Sequence, residues 1–462
     1  MNLFNIFPKI TSFRNIPLHR FTNPEIIFSH LYQKTYSVLL CGRGNPDNSR
    51  FAYIGIHPFL RIHYKKNEAT INLDNGEVIL SVDPFQLLRA ALKFYTMKLH
   101  PFPISLWGGI GYFSYDAAHC IEKLPKTTID DLNMPIMEMI YYKDFLIFDY
   151  QKEKSYLVQA ETEKGFNNPQ EIMELFGKGW GPASQFSVES PKSCCTREGY
   201  ITLVKKIIDY IKKGDVYEVN LSHRFEAKYQ GDPYGIFLNL FRINPAPFSA
   251  YLNAGDNNII ISNSPERFLR AEGDWVETRP IKGTIGRREN RDEDQKNRLL
   301  LANSEKDDAE LSMIVDLLRN DLGKVCEYGS VRVQEHKRIE GFSNVWHLIS
   351  IVEGKLRTEE DYSSLIRACF PGGSITGCPK IRSMEIIDEL EMYGRNIYTG
   401  MIFIISDNRL DSSIVIRTII AKKGTLYFSV GGAVVYDSLP NREYEEALEK
   451  AQSIMKAIKK SF

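Results

Sequence analysis

Alternating apolar and polar positions mark strands along this chain, and an apolar period near 3.6 marks helices. Short alternating runs at Phe51–Ile56 and Ala69–Leu73 predict strands, and Pro84–Tyr95 has a helical pattern. Phe145–Tyr150 and Ser155–Ala160 flank the charged Gln151–Lys154 and predict a hairpin. Tyr200, Val204, Ile207, Ile208 and Ile211 form one stripe, with Thr196 as N-cap and Gly214 as the stop. Strands are predicted at Val216–Ser222, Phe248–Leu252, Asn258–Ser262, Trp275–Thr278, Ile414–Ala421 and Thr425–Val430. A helix from about Ser304 to Leu322 turns Leu311, Ile314, Leu317 and Leu318 inward and ends at Gly323. The last helix begins at Pro440, with Tyr444, Leu448, Ala451, Met455 and Ile458 as its stripe. Strands and helices come in blocks without βαβ alternation, which predicts an α+β protein with mainly antiparallel sheet.

Gly177, Gly179, Gly181, Pro182 and Pro191 gather among serines between 177 and 196. That composition resists helix and strand and reads as a linker, dividing residues 1–176 from residues 197–462. The chain has 462 residues, 43% of them apolar and 25% charged, an ordinary globular balance that excludes low-complexity disorder. Lys+Arg and Asp+Glu both number 58, and the absent basic excess argues against a nucleic-acid partner. The 7 Cys are scattered with no Cys-x-x-Cys, which suits neither a disulfide framework nor a zinc site. A reducing, cytoplasmic setting is expected. Asn5, Pro8 and Lys9 break the first residues, so no signal peptide is read there, and no membrane span is expected.

Several residue groups can carry chemistry. Asp307 and Glu310 share a helix face, and Glu443 and Glu446 repeat the spacing on the last helix. Two such pairs can hold Mg²⁺, which takes few carboxylates and keeps positions for water and substrate oxygens. Each pair alone is equally a cap or a solvated face. Lys282 lies in Thr278-Arg279-Pro280-Ile281-Lys282-Gly283-Thr284, where Pro280 and Gly283 constrain the backbone. A lysine turned inward there loses its proton by desolvation and becomes a nucleophile; a solvated turn lysine is the plainer reading. Glu266 follows the apolar Ile259–Ile261, where it can act as a tuned general acid or pair with Arg267. His347, in an apolar run, suits either proton transfer or a hydrogen-bonded core. Phe370–Gly377 and Gly431-Gly432 offer backbone N–H groups to an anion or are plain turns. Gly108–Gly111 reads as a tight turn rather than a phosphate cradle, because the Lys-Ser/Thr of such a loop is missing. Arg417, inside Ile414–Ala421, needs a partner if buried, and a substrate carboxylate is a bidentate one. Together these describe a site for a small polyanion.

Taken in order, the motifs Gly214–Arg224, Ser264–Phe268, Thr278–Thr284, Leu301–Gly323, Phe370–Lys380, Met384–Leu390, Ile414–Thr418 and Asp437–Lys450 resemble one family. Residues 197–460 are similar to the chorismate-binding domain shared by anthranilate, aminodeoxychorismate, isochorismate and salicylate synthases. Residues 25–160 resemble that family's N-terminal domain through Ser49-Arg50-Phe51 and Gly108–Asp116. The resemblance implies an anthranilate synthase component I-like fold: a large, mainly antiparallel two-sheet core flanked by helices. Anthranilate synthases resemble Pro-Ile-Ala-Gly-Thr where this chain has Lys282, and aminodeoxychorismate synthases carry Lys there. The resemblance thus implies amination of chorismate at C4 in p-aminobenzoate and folate synthesis, with Lys282 attacking C2 and Glu266 protonating the departing oxygen. It also implies Mg²⁺ on Glu310 and Glu446, with Asp307 and Glu443 nearby. By the same likeness Tyr398, Arg417, Gly431, Gly432 and Ala433 hold the enolpyruvyl carboxylate, Gly283, Thr284 and Lys450 line the cavity, and His347 stands at the family's active-site histidine. No Gly-x-Cys-x-Gly turn is present, so ammonia is expected from a separate glutamine amidotransferase subunit. The alternatives are anthranilate synthase component I and a catalytically silent chorismate-binding partner.

The chain departs from the family pattern at three places. Glu218 stands where many relatives have Gln and the isochorismate branch has Lys. Ala433 replaces a Gly. Leu39-Leu40-Cys41-Gly42 lacks the Ser of the family's tryptophan-site motif, although Pro247-Phe248-Ser249 matches its other half.

Overall fold

Strand Met137–Asp149 has all 13 of its residues buried, so it has no solvent face and must be covered on both sides. Its Met139, Tyr141 and Ile147 enter one apolar core, while Leu146 and Phe148 enter a second. Strand Asn258–Ser264 divides the same way: Ile260 packs into the first core, Ile259 and Ile261 into the second. This double burial explains why the central strands read as apolar runs, not as clean alternation. The computed structural model describes residues 3–43, 49–73, 76–182, 185–342 and 345–459.

The architecture is α+β, as expected. Among the described residues every pairing between named strands is antiparallel. The expected hairpin is present: Met137–Asp149 pairs with Lys154–Glu161. Strands on either side of residues 177–196 also pair with each other. Val38–Cys41 pairs with Phe248–Asn253, and Gly109–Phe113 with Met401–Ile405. The N-terminal segment is therefore stitched by backbone hydrogen bonds to the segment that carries the candidate chemistry.

Several local expectations change. The segment read as linker is not free of strand: Phe186–Val188 and Lys192–Ser193 both pair with Glu218–Gly231. Ala183 and Ser184 lie outside the described residues. Gly109–Phe113 is a strand rather than a tight turn, and its glycines answer to packing: a Cβ on Gly111 would lie 1.8 Å from the Glu138 carbonyl oxygen. Gly431 and Gly432 are likewise inside strand Thr425–Val434, opposite Ser222 and Leu221. The strand expected over 414–421 is broken, since Arg409–Ile414 ends before Arg417 and Thr418–Lys422 begins after it. Arg417 itself has φ +52°, a left-handed conformation incompatible with a continuing strand.

Helix Arg197–Lys212 is capped by Thr196, whose side chain accepts from the Gly199 N–H. Helix Glu305–Gly323 is capped by Ser304, which accepts from the Asp307 N–H. The last helix, Pro440–Lys459, buries Glu443, Ala447, Ala451, Ile454, Ala457 and Ile458. Of the expected stripe, Ala451 and Ile458 are buried, while the bulkier Tyr444, Leu448 and Met455 lie at the margins of the inward face. Alanine faces allow the helix to approach the sheet closely, and a count of large apolar residues misses them.

Gly111→Ala forces a methyl into a carbonyl and is expected to cost about 3 kcal/mol or more. Gly323→Ala, with open space around its Cβ on a helix, is expected to stabilise by about 0.5–1 kcal/mol. Denaturant titration of the two variants checks both signs.

Candidate active site

Strand Ile281–Gly286 carries Lys282 and pairs with strand Val345–Lys355, with a register shift between Lys282 and Thr284. Gly283 is the extra residue of this bulge, at φ +68°. Its missing side chain is also a packing requirement, because a Cβ there would meet Asp307 Cγ and Leu301 Cδ1, both at 2.9 Å. The bulge re-aims Lys282 and Thr284 relative to a regular strand and seats the backbone against helix Glu305–Gly323.

Lys282 is 9% exposed. Its Nζ donates to Glu218 Oε1 at 2.8 Å, and Glu218 is fully buried. Burial alone would push the ammonium pKa down, but Glu218, Glu310 and Glu266 together outweigh it and hold the pKa above its ordinary value. The uncharged amine expected from burial is therefore not the resting state. Glu218 in contact and Glu310 nearby keep it an ammonium.

Glu266 follows strand Asn258–Ser264, buried, with the Ser374 hydroxyl donating to Oε1 at 2.6 Å. Burial raises its pKa to about 7, with Ser374, Lys282 and the Ile281 backbone restraining the rise. Near neutrality this carboxyl holds a proton that it can give away. Ser374 comes from the Phe370–Gly377 segment, read from the sequence as an anion cradle or a plain turn; here its hydroxyl serves Glu266, and the Thr376 hydroxyl donates to the Gly372 carbonyl.

His347 is buried, with its Nδ1 2.9 Å from the Thr284 hydroxyl. Burial, aided by the charge of Arg417, pushes its pKa down to about 3, so the ring is neutral. Its Nε2 is buried with no hydrogen-bond partner. Arg417 makes no side-chain hydrogen bond or ion pair among the described residues, and burial lowers its pKa. A cation and a ring nitrogen left unsatisfied in one region suit an oxygen-rich anion that is absent from the protein itself. Tyr398 is buried beside Arg395, whose guanidinium lies 6.0 Å from the phenol ring centroid.

The acids gather next to this region. Glu310 is pushed up chiefly by burial, with Lys282 opposing and Glu218 and Asp307 adding to the rise. Glu443 is raised by burial, with the charge of Glu446 adding to it. Burial acts on Glu446 in the same sense, but Lys450, 2.8 Å away, together with Lys306 and Lys282, holds it low. Lys450 also donates to the Gly431 carbonyl at 3.1 Å. A Cβ on Gly432 would lie 3.4 Å from Lys450 Nζ and 3.7 Å from both Glu443 Oε2 and Glu446 Oε1, so this glycine forms the floor under the cluster. Ala433 pairs with Asn220 and does not take a positive φ, so its methyl costs the backbone nothing. Hard oxygen donors crowded enough to raise one another's pKa suit Mg²⁺. Among the described residues, however, no three acidic, His or Cys side chains converge on a single point.

Two supporting features were not found from the sequence. One is the Lys282–Glu218 pair, whose members are 64 positions apart. The other is the buried pair Arg395–Glu391, at 2.7 Å. Arg395 also donates to the carbonyls of Asn220 and Ile375, while Glu391 accepts from the Ser222 N–H and hydroxyl. This network ties strand Glu218–Gly231 to the segments that carry Ser374 and Tyr398. Its i,i+4 spacing was the available signal, but the same spacing is commonplace on exposed helices.

The family model for chorismate binding enzyme matches residues 38–456. This chain belongs to that family. The aminodeoxychorismate synthase component 1 of Escherichia coli K12 is 38% identical over 441 residues, covering 94% of this chain and 96% of that protein. The Bacillus subtilis protein of the same name is 36% identical, covering 93% of each. The anthranilate synthase component 1 of Acetivibrio thermocellus is 35% identical, covering 90% of this chain and 89% of its own length. Among solved structures, anthranilate synthase component I from Streptococcus pneumoniae superposes with a TM-score of 0.78 at 27% identity, over 95% of this chain and 99% of that one. The expected anthranilate synthase component I-like fold is thus the fold observed. Among the described residues no helix is long and apolar enough to cross a membrane.

Infrared titration tests the electrostatics directly. A protonated carboxyl band is expected to persist below neutrality, to disappear as pH rises through about 7, and to be missing in Glu266→Gln. Ser374→Ala, which removes a contact favouring the ionised form, is expected to move that titration upward. A Glu266 carboxyl already ionised at pH 5 would contradict the account.

Proposed function

We propose that this protein aminates chorismate at C4 to give 4-amino-4-deoxychorismate, the step toward p-aminobenzoate and folate. The observation that carries the reading is Lys282, a buried lysine facing a carboxyl whose proton is poised for transfer. The aminodeoxychorismate synthase component 1 relatives support it over nearly the whole chain. Anthranilate synthase component 1 relatives have similar identity, and the amine at position 282 is what favours C4 over C2.

In this reading the substrate carboxylates are held by groups that lack protein partners. Arg417 and the neutral His347 offer donors, with Tyr398 and the backbone of Gly431, Gly432 and Ala433 alongside. Gly283, Thr284 and Lys450 shape the remaining wall. The amine of Lys282 bonds to C2 while the two ring double bonds each shift by one position and the C4–O bond breaks. Glu266 delivers its proton to the departing oxygen, which leaves as water. Ammonia then bonds to C4, the double bonds return, and the Lys282 amine departs from C2. The ammonium formed at C4 returns one proton to Glu266. Dividing the substitution in two lets the enzyme direct ammonia away from C2, which the lysine occupies.

Mg²⁺ held by Glu310 and Glu446, with Asp307 and Glu443 close by, would polarise the ring carboxylate and make the ring a better electron acceptor. Lys450 neutralises Glu446 in the present arrangement and would have to release it. The name component 1, shared by the relatives, supports a partner component. A glutamine amidotransferase subunit would supply the ammonia, since the sequence holds no Gly-x-Cys-x-Gly turn.

Product analysis with chorismate, ammonium and Mg²⁺ tests the reading: the amino group is expected at C4, and an amino group at C2 would assign the anthranilate reaction instead. Lys282→Ala is expected to lower C4 amination at least about a hundredfold while chorismate still binds. Glu446→Ala is expected to weaken Mg²⁺-dependent chorismate binding about tenfold or more, and unchanged calorimetric titration would remove it from the metal site.

A further inference from the structure

The mechanism needs a neutral amine, yet the resting Lys282 is an ammonium. Its proton must go somewhere within a buried site. Glu266 cannot take it, because that carboxyl is engaged by Ser374 and must carry a proton for the departing oxygen. Glu218 is in contact: its Oε1 accepts from Nζ at 2.8 Å, and its Oε2 is buried with no hydrogen-bond partner among the described residues. The Glu218 backbone is fixed by the Ser383 hydroxyl donating to its carbonyl at 3.0 Å and by pairing with Cys378. The side chain is fully buried against the amine, away from solvent.

We propose that Glu218 is the proton acceptor for Lys282, taking a proton from Nζ as the amine bonds to C2 and returning it when the amine leaves. The proposal rests on the reading of Lys282 as the nucleophile.

The step balances. The ammonium and carboxylate become an amine and a carboxylic acid. The amine lone pair forms the N–C2 bond, the ring electrons shift, and the C4–O pair leaves with the proton of Glu266 as water. After ammonia adds at C4, the N–C2 pair returns to nitrogen, and Glu218 gives its proton back. Glu218 ends as it began, and the net change is chorismate and ammonia to the aminated product and water.

The pair's charge state depends on its surroundings. Glu310 from helix Glu305–Gly323, Glu446 from the last helix and Glu266 all act on Lys282, Asp307 acts on Glu310, and the Cys378 thiol senses Glu218. His347 on the paired strand is neutral. When substrate closes the site, water that favours separated charges is excluded, and the neutral pair gains relative to the ion pair. Moving a proton between two buried partners leaves the total proton count unchanged. The lysine therefore imposes no pH dependence of its own on the covalent step.

That consequence supplies the test. The protein is mixed with chorismate and Mg²⁺ without ammonia, quenched, and the covalent adduct is followed by intact mass between about pH 5.5 and 6.5, where Glu266 keeps its proton. The wild-type rate is expected to be flat across this interval. In Glu218→Gln the amine must lose its proton to solvent, so the rate is expected to fall about tenfold per pH unit of acidification. Glu218→Asp, which keeps a carboxylate, is expected to restore the flat profile at a lower rate, which a merely structural role for Glu218 would not do. The same pH profile in wild type and Glu218→Gln overturns the proposal while leaving Lys282 as nucleophile. An absence of adduct together with an absence of C4 product overturns both.

Discussion

A lysine ammonium can remain buried only where carboxylates compensate the solvation it has lost. Lys282 meets that condition through Glu218 in direct contact and through the charge of Glu310. Much of the local structure serves this balance. The bulge at Gly283 turns the strand so that the amine reaches the carboxylate, and helix Glu305–Gly323 packs against the bulge through Asp307. The Glu391–Arg395 pair anchors the strand that Glu218 begins. Removing one charge would leave the others uncompensated, so the site functions as a coupled set.

The same coupling separates the roles of two neighbouring carboxyls. Glu266 is pushed toward neutrality by burial and retains a proton near pH 7. Glu218 lies against the Lys282 ammonium, its Oε1 accepting from Nζ at 2.8 Å. A proton donor and a proton acceptor thus face one amine from different elements, which is the arrangement acid–base chemistry at neutral pH requires. On the other side Arg417 and His347 Nε2 have no hydrogen-bond partner among the described residues, the complement of the two carboxylates of the proposed substrate.

Much of this was legible in the sequence where a local rule governs the residue. Thr196 and Ser304 cap their helices because the cap and its N–H partner are three residues apart. The turn chemistry of Pro280 and Gly283 already marked Lys282 as constrained. Other features depend on distant partners and left no local trace. Gly111 and Gly431 look like turn residues but sit in strands where a neighbouring backbone leaves no room for a Cβ, and Gly109 sits in a strand against the Met139 side chain. Arg417 reads as strand because its neighbours are apolar, yet its φ breaks the strand and frees its side chain from the ladder. The last helix shows its inward face only in part, because Ala447 and Ala457 on that face carry little apolar signal. Glu218 registered only as a departure from the family pattern, and its partner became visible when the strands were placed together.

A crystal structure of the protein with chorismate and Mg²⁺, grown without ammonia, tests the central claim most directly. The account predicts continuous electron density joining Lys282 Nζ to a ring carbon, with the C4 oxygen gone and Glu218 still within hydrogen-bond reach of the nitrogen. Intact chorismate lying at van der Waals distance from a Lys282 that remains bound only to Glu218, in a preparation that turns over once ammonia is added, would contradict it.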